Sequence, residues 1–142
     1  MKILIDTNVL LDVLFRREKF FDHSRSVLLL CEIGLVEAVV SAMSVPNIVY
    51  IMRKELAREE IERVLLTIGA IAAVEPLTFE DLRAAALGDF ADFEDGVQHA
   101  CALRCKADFI VTRNVKDFAP GSIPAISPQD FLEKFLGDRR SP

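Results

Sequence analysis

The sequence lacks the features that mark membrane and secreted proteins. No apolar run approaches the roughly 20 residues that a membrane-spanning helix needs, and the chain opens directly into MKILID, without the apolar stretch of a signal peptide. It contains only three cysteines, Cys31, Cys101 and Cys105, and an odd count without a secretion signal argues against a disulfide framework. We therefore predict a soluble, cytoplasmic protein whose cysteines are small buried side chains.

Histidine and positive charge are also scarce. The only histidines are His23 and His99, and no second cysteine pair is present to complete a tetrahedral zinc site. The net charge of −5 has the wrong sign for binding nucleic acid by bulk electrostatics, and it suits a protein whose acidic residues gather around cations. Three short basic groups could still contact phosphates: Arg16, Arg17 and Lys19; Arg53 and Lys54; Arg113 and Lys116.

Short apolar strands alternate with longer helical segments along the chain. Strands are predicted at 2–5, 37–41, 71–75, 107–112 and 123–126, with helices between them. One of these helices covers about 20–34 and ends at Gly34, and another covers 44–56 with Ser44 as its N-cap. Strands that are apolar on both faces and separated by helices predict a central, mostly parallel sheet, covered on both sides in a three-layer α/β/α sandwich. The 142 residues suit one domain, which we place at 1–137, followed by a frayed tail at 138–142.

Acidic residues follow the first predicted strand and open a late helix. Asp6 ends the first strand, at the edge of a parallel sheet where ligands collect, although the run D-T-N would equally suit a helix cap. Asp92 and Asp95 lie three residues apart and so share a helix face. Asp92 as an N-cap explains part of this pattern. Because Asp89 and Glu94 crowd the same segment, a bound cation would relieve the mutual repulsion.

A third polar group follows the strongest predicted strand, in the run IVTRNVKDF. It comprises Thr112, Asn114 and Asp117. An Asn followed three residues later by Asp is also ordinary turn chemistry. Oxygen donors at several strand ends indicate a site for Mg²⁺ or Mn²⁺, and such a site suits phosphodiester hydrolysis. The sequence contains no phosphate-binding glycine loop and no nucleophile elbow.

Three motifs together resemble the PIN-domain family, and most closely its toxin ribonucleases of the VapC type. They are ILIDTNVLLDVL, D-x-x-D-x-x-Q-x-A-C-A-L and IVTRNVKDF, whose order and separation match the family over essentially the whole chain. The resemblance implies an α/β/α fold and an acidic pocket that binds Mg²⁺ or Mn²⁺ and cuts RNA. It assigns catalysis and metal binding to Asp6, Asp95 and Asp117, with Asp92 as a further metal ligand.

The resemblance also implies partners. Single-domain proteins of this family are mostly toxins held inactive by a small antitoxin, and they are commonly homodimers. Self-association would use the apolar helices of residues 20–56, which carry more apolar side chains than one inward face requires.

One position departs from the family pattern. Asn47 stands where a Glu is expected in the helix after the second strand, so the pocket should hold cations less tightly. An attenuated nuclease, or a PIN-fold binding module with a degenerate site, is the resulting alternative. A weaker alternative is a phosphoryl-transfer domain with Asp6 as nucleophile. Haloacid-dehalogenase-like proteins have a second aspartate two residues after the first, and Asn8 stands there instead. Receiver-like proteins have a lysine after a late strand, and only Lys116 is close to that position.

Overall fold

The computed structural model describes residues 1–140. They form a five-stranded, all-parallel sheet in the order β3-β2-β1-β4-β5, with helices on both faces, which confirms the predicted fold class. The strands are β1 (Lys2–Ile5), β2 (Glu37–Ser41), β3 (Ala73–Glu75), β4 (Phe109–Val111) and β5 (Ala125–Ile126).

The central strand explains the two covered faces. Ile3, Leu4 and Ile5 of β1 are completely buried. Because alternate side chains of a strand point to opposite faces of the sheet, both faces must be covered here. Ile3 and Ile5 pack in the larger apolar cluster and Leu4 packs in the smaller one. A strand buried on both faces needs helices on both sides, as the continuous apolar run predicts.

Within residues 1–140, seven α-helices form the outer layers. They are α1 (Thr7–Leu14), α2 (Phe21–Glu32), α3 (Ser44–Met52), α4 (Arg58–Ile71), α5 (Phe79–Leu87), α6 (Phe93–Arg104) and α7 (Pro128–Arg140). The larger cluster takes its side chains from α1 to α4 and α7, and the smaller one from α6 and its neighbours. No helix within residues 1–140 is long and apolar enough to cross a membrane.

Two helices differ from their predicted extent. Ser44 is the first residue of α3 rather than its N-cap, because its hydroxyl accepts a hydrogen bond of 2.7 Å from buried Thr7. At the other end of the chain, α7 continues to Arg140, so residues 138–140 of the predicted tail are helical. Residues 141 and 142 lie outside the described part.

The strand order reverses beside β1. From β1 the chain moves outward through β2 and β3, and then crosses to β4 and β5 on the other side. In open parallel sheets the crevice beyond the carboxyl ends of the two strands at such a reversal is the usual ligand site. Here those strands are β1 and β4, which end next to Asp6 and Thr112.

Candidate active site

Asp6 lies in this crevice as a buried carboxylate, only 5% exposed. It occupies the N-cap position of α1 but makes no side-chain cap bond. Its Oδ1 instead accepts a hydrogen bond of 2.8 Å from Gln98, and its Oδ2 accepts bonds of 2.7 Å from Thr112 and 3.0 Å from Asn8. Burial raises the pKa of Asp6, and these hydrogen bonds oppose the rise. Within residues 1–140, neutral donors therefore orient this carboxylate, and no arginine or lysine is in hydrogen-bond contact with it.

Asp92 and Asp95 come from the start of α6. Asp92 is the N-cap, and its Oδ1 accepts bonds from the backbone N–H of Glu94 at 2.8 Å and of Asp95 at 3.3 Å. The predicted capping role of Asp92 is confirmed. The carboxylate of Asp95 is half-buried and accepts no hydrogen bond from residues 1–140.

The electrostatics of Asp95 show which acids are close together. Burial, followed by the negative charges of four other carboxylates, raises the pKa of Asp95 to about 7. The four carboxylates are Asp6, Asp92, Asp117 and Glu94. We call these five side chains the acidic cluster. It draws on the end of β1, the start of α6 and the segment after β4.

The segment after β4 contributes in two ways. Thr112 is fully buried; its hydroxyl donates to Asp6 and accepts a 2.9 Å bond from the backbone N–H of Asn114. Asp117 lies on a short 3-10 helix, Val115–Phe118, and is exposed. Thr112 thus positions Asp6, whereas Asp117 presents its carboxylate at the surface. The side chain of Asn114 is also exposed.

Asn47 faces the acidic cluster from α3. Its amide donates a hydrogen bond to Oε1 of Glu94. Burial raises the pKa of Glu94, and the charges of Asp92 and Asp6 raise it further, against the bond from Asn47. Asn47 therefore neither caps its own helix nor points into the core.

The structure brings two further residues to the crevice, Glu94 and Gln98. The sequence motifs assigned no role to either of them. Gln98 is 1% exposed, and its Oε1 has no hydrogen-bond partner within residues 1–140. A buried acceptor without a partner is costly, and this one belongs to the side chain that orients Asp6. The sequence contains one indication that Gln98 belongs to the site: it lies three residues after Asp95 and therefore on the same helix face.

The donor chemistry of the acidic cluster fits a hard divalent cation. All of its donors are oxygens, which Mg²⁺ and Mn²⁺ prefer. Within residues 1–140, no group of three or more His, Cys, Asp or Glu side chains is arranged to hold a metal ion. Mg²⁺ in proteins usually keeps several waters and takes one or two carboxylates, so a complete protein cage is not required.

The chain is similar to known proteins both in its sequence and in its fold. A family model described as PIN domain matches residues 2–116. The fold is similar to a chain in the crystal structure of VapBC2 from Rickettsia felis bound to a DNA fragment from their promoter, with a TM-score of 0.68 and 12% sequence identity. That match covers 89% of this chain and 98% of the other. No curated protein gives a significant sequence match.

Proposed function

The chain belongs to the PIN-domain family, and from this we propose that it is a metal-dependent endoribonuclease that hydrolyses RNA phosphodiester bonds. One observation carries the proposal: the acidic cluster brings carboxylates from the end of β1, the start of α6 and the segment after β4 to the crevice beside β1 and β4. Their charges, added to burial, raise the pKa of Asp95 to about 7. Acids at this density repel one another unless a cation neutralises them. Strongly perturbed groups in a crevice are typical of functional sites.

The residues of the chain have distinct roles in this proposal. Asp6 and Asp95 would hold Mg²⁺ or Mn²⁺, with Asp117 and Asp92 within reach of it. The bound ion would supply a nucleophile at neutral pH and stabilise the leaving oxygen. Gln98 and Thr112 keep the carboxylate of Asp6 in one orientation through the bonds described above, so they act as positioning residues.

A cleavage assay tests this function. We expect single-stranded or structured RNA to be cut with Mg²⁺ or Mn²⁺ and to stay intact with EDTA. Asp6→Asn and Asp95→Asn are expected to abolish cleavage and leave the fold intact, because each removes a charged ligand and keeps the shape of the side chain. Asp22→Asn, an exposed aspartate of α2, is the matched control. Cleavage that survives EDTA, or survives in both site variants, would refute the proposal.

We further propose that the protein is the toxin of a toxin–antitoxin pair, acting in the cytoplasm as a homodimer until a small antitoxin binds it. The similar fold in a VapBC2 structure supports this. So do the exposed fractions of three apolar residues in the segment 20–56, which are 43% for Leu29, 65% for Tyr50 and 44% for Ile51. Leu28 and Ile48 of the same segment belong to the core. Light scattering at high micromolar concentration tests the dimer, and a monomer there would contradict it.

A second candidate function is a PIN-fold binding module without catalysis. Asn47 favours it, because the position carries an amide instead of a carboxylate and that amide is bonded to Glu94. Crystals soaked in Mn²⁺ separate the two candidates. An ordered ion between Asp6 and Asp95 supports the nuclease, and an empty crevice supports the module.

A further inference from the structure

A separate cavity lies beside the acidic cluster. It has a volume of about 270 Å³ and opens at the carboxyl ends of β4 and β5. Its wall includes Lys19, Phe20, His23, Ser24, Arg113 and Ser127. No aspartate or glutamate is among the described residues that line it, in contrast to the crevice next to it.

Two cations in this wall share one aromatic ring. The guanidinium of Arg113 lies 4.0 Å and the ammonium of Lys19 lies 5.4 Å from the ring centre of Phe20. Within residues 1–140, Lys19 forms no ion pair, and the two terminal nitrogens of Arg113 have no hydrogen-bond partner. Two positive charges on the same ring repel each other. An anion bound between them would remove that repulsion.

An ion pair with Asp12 holds Arg113 in this position. Nε of Arg113 lies 2.7 Å from Oδ2 of Asp12, a completely buried carboxylate that also pairs with Arg17 at 3.4 Å. Asp12 therefore holds Arg113 by an ion pair at Nε, and Arg113 forms part of the cavity wall. Among the described residues that line the cavity, the permanent charges are those of Lys19 and Arg113, and both are positive.

The cavity and the acidic cluster are directly connected. The backbone N–H of Arg113 donates to Oδ1 of Asn8 at 3.3 Å, and Nδ2 of Asn8 donates to Asp6 at 3.0 Å. One side chain thus separates the two sites. An extended strand of RNA lying along this sheet edge would meet both of them.

We propose that the cavity binds a phosphate group of the RNA strand next to the phosphodiester held at the acidic cluster. This inference rests on the proposed nuclease function. An acidic cluster repels a polyanion, so the substrate needs a local source of positive charge. Arginine and lysine contacts to phosphates supply most sequence-independent affinity for nucleic acids. The cavity supplies such contacts from Lys19 and Arg113.

The test compares Lys19→Gln with Lys106→Gln. Lys19 has no ion pair, so its replacement changes charge without disturbing the fold. Lys106 is exposed in the turn before β4, at the opposite edge of the sheet, and provides the same charge change there. All proteins carry Asp95→Asn, which keeps the RNA uncut. Affinity for a single-stranded RNA oligonucleotide is measured by fluorescence anisotropy with Mg²⁺ at several salt concentrations.

For Lys19→Gln we expect the slope of log affinity against log salt to flatten by about 0.7, the share of one phosphate contact in a single strand. This corresponds to about fivefold weaker binding at 0.1 M salt. Lys106→Gln is expected to change neither quantity. If the wild-type chain cuts RNA but both variants bind it like their parent, the inference fails and the nuclease stands.

Two further outcomes overturn the inference in different ways. If no variant binds RNA and the wild-type chain does not cut it, the proposed function fails and this inference with it. Inorganic phosphate, titrated against the ¹⁵N-labelled chain, tests another source of the same anion. If phosphate shifts the backbone amide NMR signals around Lys19 and Arg113 while Lys19→Gln leaves RNA affinity unchanged, the cavity binds free phosphate instead of the RNA strand.

Discussion

The chain buries two kinds of carboxylate. Asp12 and Asp81 contact arginines: Asp12 pairs with Arg113 and Arg17, and Asp81 accepts bonds of 3.1 and 3.3 Å from Arg104. Burial alone would raise the pKa of Asp81, but the hydrogen bonds from Arg104 and Thr78 lower it below its ordinary value. Asp6 is as little exposed to solvent as Asp81 but lies deeper among protein atoms. Within residues 1–140 its hydrogen-bond partners are amide and hydroxyl groups, and its pKa is raised.

This difference shows that two features set the pKa of an unexposed acid in this protein, its depth among protein atoms and the charge of its partners. Beside Asp81, the guanidinium of Arg104 stabilises the negative charge. In the acidic cluster no arginine or lysine bonds to a carboxylate within residues 1–140, and the charges oppose one another. Uncompensated charge is tolerated at functional sites at a cost in stability. The four predictions below test this contrast.

The largest expected effect is the loss of an arginine-paired carboxylate. Asp12→Ala is expected to lower the free energy of unfolding by about 3–5 kcal/mol, because it leaves the anchored Arg113 without its partner. Urea denaturation measures the change. The control is Asp22→Ala on the exposed face of α2, for which we expect a change within about 0.5 kcal/mol. Equal effects of both variants would show that the buried pair contributes nothing.

The second prediction adds a charge to the acidic cluster. Asn47→Glu places a carboxylate against Glu94, so we expect it to tighten Mn²⁺ binding by about 1–4 kcal/mol and to lower the melting temperature of the metal-free protein. Even the low end is about a fivefold change in affinity. Asn47→Gln, which keeps the amide, is the control. A lower melting temperature with unchanged Mn²⁺ affinity would exclude position 47 from the metal site.

The third prediction concerns pH. With its pKa raised to about 7, Asp95 must lose a proton before it can bind a cation. Mn²⁺ affinity is therefore expected to rise with pH up to about 7, by at most tenfold or about 1.4 kcal/mol per unit, and to level off above it. Calorimetric titrations at several pH values measure this. Asp95→Asn should flatten the profile, and a flat profile in the wild-type chain would contradict the prediction.

The smallest expected effect is on stability without metal. The folded chain holds the proton of Asp95 more tightly than the unfolded chain, so stability is lost as pH rises from the ordinary carboxyl pKa towards about 7. Asp95→Asn removes this loss and should stabilise the metal-free protein at pH 8. Because Asp95 is only half-buried, solvent screening limits the gain to about 1 kcal/mol. Thermal unfolding at pH 5 and pH 8 measures it. A gain of equal size at both pH values would show that charge is not its cause.

Local patterns predicted the strands and most helix ends well, because they depend on neighbouring residues. β1 and β2 have the predicted bounds. Gly34, expected to end α2, follows the C-cap Ile33 with φ +82°, and the backbone bonds from Gly34 to Cys31 and from Leu35 to Leu30 close a Schellman turn. Only a glycine adopts this conformation without strain.

Contacts between distant segments could not be predicted in the same way. The hydroxyl of Ser44 bonds to Thr7 rather than to its own helix, and the amide of Asn47 bonds to Glu94, 47 residues away. The segment of Asn114 and Asp117, for which ordinary turn chemistry was the alternative interpretation, forms a short 3-10 helix. Which side chains meet at the crevice depends on how α3, α6 and β4 pack around β1. That information lies in the assembled sheet and not in any single motif.

The hydrogen bond between Thr112 and Asp6 joins residues 106 positions apart, and it lies beside the pairing of β1 with β4. During synthesis, β1 leaves the ribosome first and can pair with β2, but its other edge stays open until β4 follows. Such distant contacts form late, because a long loop must close before they stabilise the chain. A partly made chain consequently has Asp6 without Thr112, Gln98 or Asp95. For a protein proposed to cut RNA, this order of folding delays activity until most of the chain has been translated.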